Sequence, residues 1–540
     1  MKKKSLIFLF VLPLTLGCLF SCAGSSLSSE VELSKTTDKY RTYYQIFPYS
    51  YADSNGDGIG DLKGIEDKLD YIDSLHYDGI YLNPICSATS YHKYDVRDYY
   101  NVDSQFGTLD DFDSLVNKAH EKGMTVVFDL VINHTSLSNS WFTKCFNAHI
   151  NENASEDDLY YKDFYPIVDT PDGTSTIPYT AYGKTVYYEQ SFSGDMADLN
   201  LKDVIEHPDG NLATELKKVI KFWLVDHDVD GFRLDAVTSF FGKSNTIYND
   251  ATATFLKWFH DYAVSLKEDV YIVGEGSWGD PTTYNKPMQA YSGIDSFFNF
   301  QDKGSQGICG MLSRNSSLCK ATYFGSLEKG NAASVSSSGI SSSFIANHDT
   351  GRLYGASTGS VGTAYPRMAH ALLQMLKGDT YLYYGDEAGM SLAGTSDPDI
   401  RQPMPWGDSY TCTACPGTTS TKDEYRYKYG TVASQLEDAD SLPNYVKKVN
   451  YARRLHPAIS HSDGTLVASN SDSSMAAYEK KYGNDDVIIA INASKTDEQT
   501  LTIGDGSYSL SNDLSTSGNA TLSGKDLTVP ALSVVVLNVK

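Results

Sequence analysis

The chain has 540 residues, with 44 Lys and Arg against 68 Asp and Glu, a formal net charge of −24. That length allows a large core and two or three domains. Strong acidity argues against nucleic acid as a partner, because nucleic acid is bound by cationic side chains that neutralise phosphates. Tyrosine is common, with 39 residues, and gives flat amphipathic surface that suits sugar rings as well as any other interface.

The first predicted element is an export signal over residues 1–21. Lys2-Lys3-Lys4 supplies the positive end, and Ser5 to Phe20 is almost wholly apolar but short for a membrane span. The run closes on Leu19-Phe20-Ser21-Cys22, which resembles a bacterial lipoprotein signal with Cys22 as the lipidated residue; Gly17-Cys18 is the weaker competitor. A lipid on Cys22 tethers a protein to a membrane surface without spanning it, here the outer face of a bacterial membrane. Cleavage without lipidation is the alternative and gives a secreted protein. Residues 22–38 read as a Ser/Thr-rich linker.

From Tyr40 strand and helix patterns alternate. Strands are predicted at Tyr43–Pro48, Gly79–Pro84, Thr125–Asn133, Gly231–Ala236, Val270–Gly274, Ser296–Phe300, Ser343–Asn347 and Thr380–Tyr384. Amphipathic segments such as Leu109–Lys122, Asn211–Asp226 and Thr252–Leu266 lie between them. Eight short apolar strands alternating with helices predict an α/β fold, a (β/α)8 TIM barrel. The barrel is expected over residues 39–134 and 201–455. Residues 135–200, rich in Trp, Tyr and Phe, form an insert after strand three. Residues 456–540 alternate apolar runs with Gly, Asn and Asp turns and predict a C-terminal antiparallel β domain. Ser334–Ser343 reads as a loop.

Barrel enzymes work at the C-terminal ends of their strands. Asp129, Asn133, His134, Asp235, Glu275, His348, Asp349, Asp386 and Glu387 fall there. Gly231-Phe-Arg-Leu-Asp-Ala-Val237 is the most informative stretch. Strand side chains alternate faces, so Arg233 and Asp235 point the same way. A buried acid and base beside each other cost desolvation unless they pair or work; a structural ion pair is the bland alternative. Retaining hydrolysis of a glycosidic bond needs one carboxylate to attack the anomeric carbon and one carboxylic acid to protonate the leaving oxygen. Asp235, Glu275 and Asp349, at the ends of strands four, five and seven, can converge for that work, with Arg233 holding Asp235 ionised. The apolar run before Glu275 favours a raised pKa suited to an acid.

These stretches resemble the α-amylase family, glycoside hydrolase family 13. Asp129-Leu-Val-Ile-Asn-His134, Gly231–Val237, Gly274-Glu275 and Phe344-Ile-Ala-Asn-His-Asp349 match its four main regions in order. Gly79–Pro84, Met196-Ala-Asp-Leu-Asn200 and Gly385-Asp-Glu-Ala-Gly389 match auxiliary ones. The resemblance implies Asp235 as nucleophile, Glu275 as acid/base and Asp349 as transition-state stabiliser. It implies Arg233, His134 and His348 as contacts to the sugar in the cleavage subsite, with Tyr94 stacking beneath it and His92 binding its hydroxyls. Arg352, just past Asp349, is a further candidate. His120, His260 and His370 lie in helical patterns and receive no role.

Asp53-Ser-Asn-Gly-Asp-Gly-Ile-Gly-Asp61 spaces hard oxygens as the front of a calcium loop does: Asp53, Asn55, Asp57, the Ile59 carbonyl and Asp61. The twelfth position is Gly64, which excludes an EF-hand; the loop resembles the metal loop after strand one in this family. A structural calcium is the expected cofactor. A second calcium is suggested by the resemblance through Asn133 and Asp198, but Thr238-Ser239 replaces the family's Lys-His and weakens that expectation. Cys412-x-x-Cys415 alone does not make a zinc site. Loop disulfides are expected instead, Cys309 with Cys319 among them.

The expected activity is hydrolysis of α-1,4-glucosidic bonds in starch and maltooligosaccharides by a monomer. Ala236 after the nucleophile leans toward α-1,4 rather than α-1,6 bonds. The alternatives are an α-glucosidase or 4-α-glucanotransferase of the same family, and a non-catalytic starch-binding lipoprotein.

Overall fold

Eight parallel strands close into a barrel: β1 (Thr42–Ile46), β2 (Gly79–Leu82), β3 (Thr125–Leu130), β4 (Gly231–Leu234), β5 (Tyr271–Gly274), β6 (Ser296–Asn299), β7 (Ile340–Phe344) and β8 (Asp379–Tyr383). The computed structural model describes residues 33–540 except 172–175, 194, 243–245, 313–318, 354–361, 392–393, 395 and 420–422. The export signal and Cys22 therefore lie outside the described residues. β8 closes on β1 with Thr380 opposite Thr42. The strands are buried almost throughout, as parallel strands covered by helices on one side and a filled lumen on the other must be. Tyr43, Tyr81, Tyr271, Phe298, Phe344 and Tyr381 fill the lumen. Tyr43 stacks on Tyr271 and Tyr381, at ring separations of 5.5 and 4.9 Å.

β7 begins three residues earlier than expected, at Ile340, because Ser341–Ser343 read as loop. Two of their hydroxyls have partners inside the fold: Ser342 Oγ lies 2.5 Å from Ser296 Oγ and 3.2 Å from the Tyr271 hydroxyl, and Ser343 Oγ accepts from Asn331. The helix Leu109–Glu121 starts on a capping box between Thr108 and Asp111. The helix Asn211–Lys221 stops short of Asp226 and widens into a π turn over Phe222–Asp226. Trp223 in that turn stacks on Phe128 at 4.3 Å and donates to the Tyr99 carbonyl at 3.0 Å.

The insert after β3 contains the helix Ser140–Ile150 and a three-stranded sheet. Its two ends zip together: His134–Ser136 pairs antiparallel with Met196–Asp198, with Asp198 opposite His134. A hairpin of Cys86–Ala88 with Val96–Val102, absent from the sequence reading, carries the 90–95 loop over the barrel. The C-terminal region folds as five- and three-stranded antiparallel sheets. It joins the barrel through a buried ion pair, Lys480 to Glu328 at 3.0 Å, with two backbone carbonyls completing the ammonium's shell. Among the described residues no helix is long and apolar enough to cross a membrane.

The expected disulfides are not formed. All six described cysteines are free. Cys309 sits in the short helix Ile308–Leu312, whereas Cys319 faces the C-terminal domain, its thiol 3.8 Å from the Ala493 carbonyl.

Candidate active site

The register of the barrel builds the site. Arg233 on β4 stands opposite Asp129 on β3. Its Nη1 donates to Asp129 at 2.9 Å and to Asp235 Oδ1 at 2.6 Å. Its Nη2 lies 3.1 Å from Glu275 Oε2. The β-ladder runs one residue past each strand end, with Asp235 N–H donating to Leu130 and Glu275 N–H to Leu234, so both acids emerge at the mouth. Ala236 then takes a left-handed conformation, φ 52°, and its N–H donates to Glu275 Oε2 at 2.8 Å. A non-glycine residue in that region stores strain, which the fold retains where it aims a group.

One guanidinium thus serves three carboxyl groups. Burial pushes Glu275 above the ordinary range, and Asp349 adds to the rise, against Arg233 and the Ala236 amide. Burial also pushes Asp235 up, with Arg233 opposing and Glu275 reinforcing. Two such coupled acids share a proton. The guanidinium contact is closer at Asp235, 2.6 Å against 3.1 Å at Glu275, and favours the charged form there.

Asp349 is treated differently. Burial opposes its charge, but His348, at 2.9 Å, and Arg401, at 2.9 Å, hold its carboxyl well below the usual carboxylate range. Arg401 also donates to the His348 carbonyl, the Tyr91 hydroxyl and Asp397. Tyr94 stacks on His348 at 5.5 Å, and its hydroxyl lies 2.5 Å from His348 Nε2. Gln45 and Asn83 contact the other ring nitrogen of His348, Nδ1. Burial lowers His134 to about 4, and burial with Arg401 lowers His92, so both imidazoles are neutral near pH 7.

A cleft of about 360 Å3 joins these groups. His92, Tyr94, His134, Asp235, Glu275 and Asp349 all line it, together with Arg401, Asp397, Phe192 and Trp278. Arg233 lies beneath, fully buried. Arg352 is a correction. Its guanidinium donates to the Tyr384 carbonyl at 2.8 Å and to Asp386 at 3.0 Å, rests against the Tyr383 and Tyr384 rings, and does not line the cleft. Arg401 is the arginine that reaches Asp349, and sequence reasoning missed it. The signal was the Asp397–Trp406 stretch, whose fold back onto the mouth cannot be read from local pattern.

The loop predicted to hold calcium is wound on its own amides. Asp53 accepts from the N–H groups of Asn55, Gly56 and Gly58, Asn55 from Asp57, and Asp57 from Ile59. Asp61 accepts from Ser54 and caps the following helix through Gly64 N–H. The hard-oxygen donor chemistry fits calcium. In this arrangement, however, no three or more His, Cys, Asp or Glu among the described residues gather as a metal cage. At the suggested second position Asn133 donates to Asp198 at 3.2 Å, and burial raises Asp198 to about 6.

A closed (β/α)8 barrel with acidic side chains clustered at its C-terminal mouth has the architecture of a glycoside hydrolase. The family model described as "Alpha amylase, catalytic domain" matches residues 45–462. The chain is 31% identical to Alpha-amylase 3 of Dictyoglomus thermophilum, over 91% of this chain and 90% of that protein. It is 26% identical to an oligo-1,6-glucosidase of Bacillus cereus, over 84% of this chain and 90% of that one. Among solved structures, Eubacterium rectale Amy13B aligns at a TM-score of 0.82 and 33% identity, covering 94% of this chain and 97% of its own. The chain belongs to the α-amylase family of glycoside hydrolases, and it is an enzyme of that family.

Proposed function

We propose that this enzyme hydrolyses α-1,4-glucosidic bonds in starch and maltooligosaccharides with retention of configuration. The observation that carries the reading is Asp235 and Glu275 on the two arms of one arginine, with Asp349 lining the same cleft. Asp235 attacks the anomeric carbon as Glu275 gives its proton to the leaving oxygen, and a glycosyl ester forms on Asp235. Glu275, now ionised, takes a proton from water, which attacks the same carbon and releases Asp235. Asp349, held charged, favours the oxocarbenium-like transition state and orients the sugar hydroxyls. Tyr94 supplies a flat face beneath the ring, the neutral His92 and His134 offer hydrogen bonds to hydroxyls, and His348, whose ring nitrogens are already taken by protein groups, holds Tyr94 and Asp349 in place.

Chromatography of the products from soluble starch, pullulan and isomaltose, with Asp235→Asn as control, tests the substrate. Maltooligosaccharides from starch with isomaltose untouched support the reading. Glucose from isomaltose would instead favour an α-glucosidase, which the similarity to oligo-1,6-glucosidases supports as the second reading. A 4-α-glucanotransferase would share the covalent ester and resolve it with a sugar instead of water.

Calcium is proposed at Asp53, Asn55, Asp57, the Ile59 carbonyl and Asp61, supported by the hard-oxygen spacing; there it would brace the loop and take no part in the reaction. The Asn133–Asp198 pair is the weaker second position. Lipidation of Cys22 and residence on the outer face of a bacterial membrane are proposed from the signal alone. Release of Cys22→Ala from the membrane fraction would support this, and its retention there would refute it.

A further inference from the structure

Behind the active-site cleft lies a second and larger cavity, of about 530 Å3. The segment 278–282 separates the two. Trp278 lines the cleft, while Gly279 to Thr282 line the cavity. Gln301, also in the cavity wall, fixes this partition by donating to the carbonyls of Trp278 and Gly279, at 3.3 and 2.9 Å.

The lining restricts what can enter. Among the described residues no Lys, Arg or His contributes to it, although Asp280 and Asp302 do. An anionic ligand would face carboxyl groups with no cation to meet it. A bound metal is disfavoured as well, since no cage of three such ligands is present among the described residues. The remaining chemistry is amide and apolar. Asn299 donates to Asn331 at 2.7 Å and Asn331 donates to Ser343, while Tyr323 and Leu327 provide flat or apolar surface. Asp302 is 2% exposed, and its Oδ2 has no hydrogen-bond partner. Ser343 and Asn331 contact the same carboxyl and oppose the rise in its pKa; the oxygen still short of a donor is costly when buried, and a hydroxyl donor would relieve it. Burial raises Asp302 to about 7, so near neutral pH the group can accept from or donate to such a hydroxyl.

We infer that this cavity is a second carbohydrate-binding site, taking a neutral polyhydroxylated ligand such as a short α-glucan segment beside the cleft. The identity of the sugar rests on the α-glucan reading of the active site. Amide groups and an acid meet hydroxyls, an aromatic ring meets the apolar face of a sugar, and the lack of cations among the described lining residues fits an uncharged chain. Sharing a wall with the cleft would keep the enzyme on its polymer between cleavages.

Gly330 gives a clean test. It lines the cavity, a side chain begun there meets nothing within 4 Å, and its φ lies outside the left-handed region. Gly330→Phe therefore places a ring at the exposed rim of the cavity, across its entrance, without backbone strain. The experiment is calorimetric titration of the full chain carrying Glu275→Gln with maltotriose. Two sites are expected. Adding Gly330→Phe should leave one, and Asp302→Asn should weaken the second site by about tenfold. Gly330→Phe alone should hydrolyse a chromogenic maltoside as the wild type does, which controls for folding. A single site in Glu275→Gln, the cavity being filled by water only, would overturn the inference and leave the substrate reading standing. Two sites persisting with Gly330→Phe would also overturn it. No maltotriose binding at all would overturn both.

Discussion

Two buried arginines near the barrel mouth look alike in sequence and do opposite things. Arg233 and Arg352 each lie close to an acidic residue at a strand end, and each is almost wholly buried. Arg233 divides one charge among Asp129, Asp235 and Glu275, and two of those carboxyls open into the cleft. Arg352 gives its charge to Asp386 and a carbonyl behind the barrel wall, between tyrosine rings. The first arrangement leaves carboxyl groups in excess of cations, so one keeps a proton and another keeps a charge. The second is a structural pair with no reacting atom in reach. Stoichiometry and access, not the presence of an Arg–Asp pair, separate a working cluster from a structural one.

The largest expected effect is at Asp235. Asp235→Asn should lower kcat by at least about 10⁴-fold with an unchanged far-UV spectrum; activity near wild type would remove Asp235 from the nucleophile's role. Next comes Arg401, the arginine that belongs with the working cluster. Arg401→Lys should lower kcat by about 10²-fold, because a point charge cannot hold Asp349, Tyr91 and the His348 carbonyl together. Arg352→Met should leave kcat within a few-fold but cost about 3–5 kcal/mol in denaturant unfolding, since Asp386 loses its buried partner. If Arg352→Met lost turnover while keeping its stability, the contrast between the two arginines would collapse.

The pH profile sharpens the same contrast. In its proposed role as acid Glu275 must be protonated, and its pKa is raised, so kcat/KM should fall as pH rises through that raised value. The alkaline limb should lie clearly above the ordinary glutamate value of about 4.3. In Glu275→Gln that limb should vanish; its survival would assign it to another group. The smallest effect expected is a chelator lowering the melting temperature by a few degrees, in line with about 1 kcal/mol for a loop already wound on its own amides. An unchanged melt would count against a stabilising calcium.

Much of this was legible in the sequence because barrel strands are short apolar runs whose last residue projects chemistry. Asp235, Glu275 and Asp349 were each found at such an end, and the structure places all three along one cleft. What stayed hidden depended on contacts distant in sequence. Ser341–Ser343 looked like loop because the partners of Ser342 and Ser343, namely Tyr271, Ser296 and Asn331, are distant in sequence. Arg401 reaches Asp349 from a segment 52 residues later in the chain. Arg352 was a further candidate for its proximity in sequence to Asp349, yet its side chain turns to the β8 end. An exported chain permits disulfides, and Cys309 with Cys319 was the pairing expected, whereas the fold sends them to different surroundings.

The most direct measurement is to trap the glycosyl-enzyme. The Glu275→Gln variant would be incubated with an activated fluorinated α-glucosyl donor, digested, and its peptides mapped by mass. The expected result is one sugar adduct, on the peptide that carries Asp235 and absent from Asp235→Asn. An adduct on another carboxyl group, or none under conditions where the donor is consumed, would contradict the assignment of charge and proton around Arg233.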